Sequence, residues 1–133
     1  MDDPALAVYL EDWGRPGDVG LVARRDARPI GAVWVRRGDT ERHGFGFVDP
    51  DTPELTLAVV ASERGRGIGR RLMEALLDDP RLAGVRRLSL SVEHDNPARA
   101  LYERLGFTTW QSSGGSRTLV IDLVEQRDRR LKE

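Results

Sequence analysis

Between Glu63 and Leu77 the chain reads ERGRGIGRRLMEALL, so that Arg64, Arg66, Arg70 and Arg71 are interleaved with Gly65, Gly67 and Gly69. Cationic side chains around residues that let a backbone come close to its ligand are the composition of an anion site. Upstream, ELTLAVV (Glu54 to Val60) alternates Leu55, Leu57 and Val59 with Thr56, Ala58 and Val60 and ends apolar on both sides, as a buried strand does. Downstream, Ile68, Leu72, Ala75 and Leu76 recur at helical spacing. A strand, a glycine loop and a helix start aim the unpartnered N–H groups of a first turn, and the positive end of its dipole, at whatever occupies the loop. The expected ligand carries phosphate.

Neither common nucleotide fingerprint fits this loop. The dinucleotide pattern needs a third glycine three residues after the second, where this chain has Arg70; a Walker loop needs Gly-Lys-Ser/Thr, and this loop contains no lysine. A second stretch, RRLSLSVEHDNPARALYERLGF, places an alternating strand (Leu88, Leu90 and Val92 against Ser89 and Ser91) before Asn96 and Pro97. Asn as cap and Pro at the first helical position start a helix carrying Ala98, Leu101, Tyr102 and Leu105, and Gly106 stops it.

Arg64-x-x-Gly67-x-Gly69, followed in order by Asn96-Pro97-Ala98-x-x-Leu101-Tyr102-x-x-x-Gly106-Phe107, resembles the two motifs of the GNAT superfamily of N-acetyltransferases, over roughly Val19 to Val124. The resemblance implies acetyl-CoA as acetyl donor, with no metal, and direct transfer to a primary amine in a ternary complex. It assigns the pyrophosphate to the backbone of Arg64, Gly65, Arg66, Gly67, Ile68, Gly69 and Arg70. Pantetheine is expected along Val59 and Val60, with an N–H near Val60 polarising the thioester carbonyl, and Asn96 beside it. Tyr102 is implied as the general acid for the leaving thiolate, a role its ordinary pKa of about 10 suits.

An alkylammonium acceptor must lose a proton before it attacks, so a base is also expected. Glu54, at the start of the central strand, is the first candidate by position; Glu93, His94 and His43 follow. Some family members carry a glutamate five residues before the motif asparagine, but Ser91 stands there in this chain. If Glu54, Glu93 and Asp95 line the cleft, they favour a cationic amine. The competing reading is a CoA-binding regulatory or degenerate module without turnover, against which the retained Tyr102 argues.

The elements that must position these groups follow from the rest of the 133 residues, which are expected to form one domain over 1–133. Asp3 and Pro4 predict a short helix to about Asp12, with Leu6, Tyr9, Leu10 and Trp13 on its apolar side. Val19 to Arg25 and Pro29 to Arg37 predict an antiparallel hairpin turned by DARP. Gly38 to Pro53 is a long loop of the kind that often carries function. Strands are predicted at Thr108 to Gln111 and Thr118 to Val124 around SSGG, and 125–133 reads as a charged, solvated tail.

The fold class is therefore α/β (α+β), with helices on both faces of a mixed, mostly antiparallel sheet. Only eighteen residues precede Val19, so the first strand and helix usual in the family are expected to be missing. That would leave the Val19 strand as an open edge, covered by a second copy in a homodimer or exposed by a shortened reading frame. A net charge of −1 gives no global reason to bind nucleic acid or anionic membrane, and the absence of cysteine removes thiolate chemistry and disulfides. With neither a bilayer-length apolar run nor a leader pattern, a cytoplasmic protein is the expectation.

Overall fold

A computed structural model of the chain describes residues 6–11, 18–38 and 46–131. In order they form strands β1 (Leu6–Glu11), β2 (Val19–Arg25), β3 (Arg28–Arg36) and β4 (Glu54–Val59), helix α1 (Ile68–Leu77), strand β5 (Arg87–Glu93), helix α2 (Ala98–Leu105), strands β6 (Thr108–Ser113) and β7 (Ser116–Asp122), and helix α3 (Leu123–Leu131). β1–β2, β2–β3, β5–β7 and β6–β7 pair antiparallel and β4–β5 pair in parallel, which makes this a mixed, mostly antiparallel α/β fold. Two compact units emerge, one of residues 1–36 and 56–83, the other of 37–55 and 84–133.

In the first unit β1, β2 and β3 lie side by side, Leu6 opposite Arg25 and Val19 opposite Val35. Asp26 and Ala27 turn the β2–β3 hairpin with φ of 50° and 70°, the two positive values of a type I′ turn. Helix α1 packs on β2 and β3. It buries Ile68, Leu72, Met73, Leu76 and Leu77 against Leu21, Ile30, Val33 and Val35, each worth roughly 1.5–3 kcal/mol. The helix comes this close because β3 carries Gly31: a Cβ there would stand 3.2 Å from the Ala58 carbonyl oxygen and 3.2 Å from Leu72 Cδ1.

In the second unit β5 pairs with β7, and β7 with β6. Glu54 of β4 lies beside Ser89 of β5 in the parallel sense. Leu55, Leu88, Leu90, Val92, Phe107, Leu119, Ile121 and Leu123 form the core. Gly106 ends α2 at φ 111°, as its sequence position predicts.

Three expectations are corrected here. The N-terminal segment over Leu6–Glu11 is a strand rather than a helix, because six residues alternate Leu6, Val8 and Leu10 with Ala7, Tyr9 and Glu11 and find a partner in β2. The Val19 strand is consequently not an open edge. The final strand expected to run to Val124 ends at Asp122, and α3 (Leu123–Leu131) takes up most of the expected 125–133 tail: Leu123 anchors the helix at 1% exposure, and Asp122 accepts the Glu125 N–H at 2.9 Å. The expected cap and start at Asp3 and Pro4, with Trp13 and His43, lie outside the described residues. Among the described residues, no helix is long and apolar enough to cross a membrane.

Candidate functional site

The glycine loop belongs to the first unit and follows β4 through a 3-10 turn, Ala61–Glu63. Gly65 and Gly67 take φ of 77° and 80°, a region that costs a side-chain-bearing residue roughly 1–2 kcal/mol. A Cβ at either position would meet no atom within 4 Å, so both backbones face open space. Gly67 caps α1, and the Arg71 N–H is the first to close a helical turn, on the Gly67 carbonyl. The N–H groups of Ile68, Gly69 and Arg70 therefore stand before the intrahelical ladder begins. These residues fit a diphosphate: an open cradle without side chains and aligned N–H donors.

The arginines divide their work differently from the expectation of a cationic fringe. Arg64 turns back and donates from Nε to the Val59 carbonyl at 3.2 Å, tying the loop to the end of β4. Arg70 pairs with Glu74 on the exposed surface of α1 at 2.7 Å. Arg66 stands 3.8 Å from Glu63.

Of the N–H groups near Val60, where the polarising donor is expected, that of Val60 itself donates to the Ile30 carbonyl at 2.9 Å. Along a strand successive N–H groups point to opposite sides, so the Val59 N–H is the one directed away from β3.

Glu54, Asn96 and Tyr102 belong to the second unit. The Glu54 carboxylate accepts the Gly46 N–H at 2.8 Å through Oε2. Gly46 lies so close to β5 that a Cβ would come within 2.7 Å of the Leu90 carbonyl carbon and 2.8 Å of the Ser91 nitrogen. Glu54 thus pins the long loop at Gly46 to the sheet, a role that its position alone did not disclose; the glycines of GFGF were the available signal.

Asn96 accepts the Ala98 N–H at 2.9 Å through Oδ1 and the Arg99 N–H through its carbonyl, so it fixes the start of α2 as expected, one residue ahead of the formal cap Pro97. Tyr102, on the same helix, is 6% exposed and meets Phe107 edge-on with ring centroids 5.8 Å apart. Burial pushes its phenol above the ordinary value of 10.0, which keeps the proton on the oxygen at neutral pH.

His94 is not available as a base. Nδ1 accepts from Arg117 Nε at 3.2 Å, which leaves Nε2 to donate to the Gly114 carbonyl at 3.2 Å, so both ring nitrogens are engaged in the neutral tautomer. Glu93 and Asp95 do come together, lining an open cleft with His94, Gly115 and Ser116; Glu54 does not line it.

Residues 2–107 match the model of the family described as acetyltransferase (GNAT) family. A mycothiol acetyltransferase of Corynebacterium glutamicum (strain R) is 36% identical over 113 residues, 76% of this chain and 38% of that protein. An L-2,4-diaminobutyric acid acetyltransferase of Nocardia farcinica is 34% identical over 104 residues, 74% of this chain and 47% of that protein. The chain spans less than half the length of either relative. Among solved structures, the GNAT domain of S. lividans PAT aligns with a TM-score of 0.67 at 25% identity, covering 80% of this chain and 61% of that one.

Proposed function

The chain belongs to the acetyltransferase (GNAT) family, and from that premise we propose that it transfers an acetyl group from acetyl-CoA to a primary amine, both held at once in a ternary complex. The observation that carries the proposal is the loop at Gly65 and Gly67, open at both Cβ positions and leading into the first turn of α1. Backbone N–H groups and a helix dipole reward an anion placed there, and a CoA pyrophosphate supplies one. The thioester supplies the activated acetyl group.

Residues 1–133 act as one catalytic domain in this reading. The backbone from Arg64 through Gly65, Arg66, Gly67, Ile68 and Gly69 to Arg70 holds the pyrophosphate. Val59 and Val60 guide the pantetheine, with the Val59 N–H as the carbonyl-polarising donor, and Asn96 offers its amide Nδ2, since Oδ1 is engaged. In the transfer the C–S bond breaks, the C–N bond forms, and Tyr102 gives its proton to the departing sulfur. Tyr102 suits that role because its burial holds the proton on the phenol. Glu54 draws the ammonium proton away; its hydrogen bond from Gly46 fixes the carboxylate in place.

The acceptor is a small-molecule or peptide amine, a class in keeping with the diaminobutyric acid named for one relative. With β1 covering the β2 edge, the reason for expecting a homodimer falls away, and the reading needs a single copy working in the cytoplasm. The test is release of free CoA thiol over a panel of amines, wild type beside Tyr102→Phe. Amine-dependent release that drops about 10²–10⁴-fold in the variant, with CoA binding retained, supports the proposal. Tight CoA binding without turnover on any amine supports instead a binding module without catalysis.

A further inference from the structure

Immediately before the glycine loop lies a carboxylate that no part of the proposed chemistry uses. Glu63 is 5% exposed at the end of the 3-10 turn. Both its oxygens are taken by Arg25 at the end of β2: Nε donates at 3.3 and 3.2 Å, and Nη2 donates to Oε1 at 3.0 Å. Arg66 and Arg28 approach more loosely, at 3.8 and 4.0 Å, and both are largely exposed. Arg64, the next residue, is tied to Val59. The loop is therefore anchored at two consecutive residues, to β2 through Glu63 and to β4 through Arg64.

An acid beside an anion site runs against the local charge. If charge alone mattered, this glutamate would oppose the ligand. Its geometry decides between the two effects. A forked, two-oxygen contact with an arginine that is itself only 17% exposed fixes direction as well as distance. The loosely held Arg66 and Arg28 interact through solvent, where such pairs contribute little. Without Arg25, the 5%-exposed Glu63 carboxylate keeps only the looser Arg66 and Arg28 contacts, and the segment that carries it must move.

We propose that Glu63 and Arg25 form a positioning clamp that sets the backbone of residues 63–67 for the cofactor, so that a residue of the β2–β3 hairpin governs acetyl-CoA affinity without touching it. The clamp's role in affinity rests on the acetyl-CoA reading; its hold on the loop does not.

The test uses the intact chain with Glu63→Gln, Arg25→Gln, Arg25→Lys and the Glu63→Gln/Arg25→Gln double variant. Calorimetry gives the Kd for CoA, thermal unfolding confirms that each variant is folded, and amide exchange of the ligand-free protein reports on residues 61–67. Both single glutamine variants are expected to raise Kd about tenfold and to speed exchange across 61–67, while α3 is unaffected. The double variant raises Kd no further than either single one, and Arg25→Lys falls between wild type and Arg25→Gln. In turnover, the change appears in the KM for acetyl-CoA rather than in kcat. Unchanged Kd in a wild type that binds CoA, multiplicative effects in the double variant, or tighter binding by Glu63→Gln each overturn the clamp. Should wild type not bind CoA at all while exchange still responds, the acetyl-CoA reading fails and the hold on the loop stands; no response in exchange refutes the clamp in either case.

Discussion

Replacing Gly67 by alanine separates the cost of backbone strain from the cost of blocking a ligand. The residue sits at φ 80°, and an added methyl would meet no protein atom within 4 Å. The folded state therefore carries only the left-handed backbone penalty, roughly 1–2 kcal/mol. For a chain of 133 residues this lowers Tm by roughly 3–10 °C. The methyl itself projects into the space assigned to the pyrophosphate. Displacing the phosphate from one charge-assisted N–H contact loses about 1.5–3 kcal/mol, a rise in Kd of roughly 10- to 150-fold. Gly114, in the β6–β7 turn, is the matched control: its φ is 56°, and a Cβ there also meets nothing within 4 Å. Gly114→Ala should lose comparable stability and bind CoA as wild type does. Calorimetric titration of both variants at a temperature where each is folded decides the matter. An unchanged Kd in Gly67→Ala, or an equal rise in both, would refute the placement of the phosphate.

Two further outcomes concern stability. Ala27→Gly relieves the φ of 70° in the β2–β3 turn, and after the greater freedom of glycine in the unfolded chain is subtracted the variant should gain roughly 0.5–1 kcal/mol, visible as a higher Tm; a lower Tm would mean that the turn is not held in this conformation. Asp79 is buried, and hydrogen bonds from Arg81 hold its carboxyl below the ordinary 3.8. Its contribution is present above that value and is lost as pH falls through the depressed one, because the unfolded chain takes up the proton first. Asp79→Asn should be less stable at neutral pH and lose less stability below about pH 4 than wild type, measured by denaturant unfolding; parallel curves for the two proteins would contradict the assignment.

The sequence made some of this arrangement legible and concealed the rest, for identifiable reasons. The loop at Gly65 and Gly67 could be read because positive φ and close approach restrict the choice of residue strongly. Asn96 and Gly106 could be read for the same reason, since helix ends demand particular side chains. Leu6 to Glu11 could not, because over six residues Leu6 and Leu10 satisfy helical spacing while Leu6, Val8 and Leu10 satisfy alternation, and pairing with β2 decided the outcome. Leu123 was hidden in a strand that ends one residue earlier, and without that anchor the charged residues after it looked like solvated chain. The Glu63–Arg25 clamp joins residues 38 apart in sequence, a coupling that no local pattern encodes. His94, a runner-up base from the sequence, has both ring nitrogens in hydrogen bonds, to Arg117 and the Gly114 carbonyl.

The way the chain is threaded through its two units bears on how the protein is made. Each unit is assembled from stretches that are not contiguous, with residues 37–55 and 56–83 exchanged between them. At synthesis rates of about 5–20 residues per second, Glu54 leaves the ribosome seconds before β5 can pair beside it, and β5 then waits for β7. The β5-facing edge of β4, and then the β7-facing edge of β5, are meanwhile left open. Production in cells should thus respond to elongation rate and to chaperone supply more than the finished protein's stability would suggest, and no cut in the backbone can release either unit as a single uninterrupted piece.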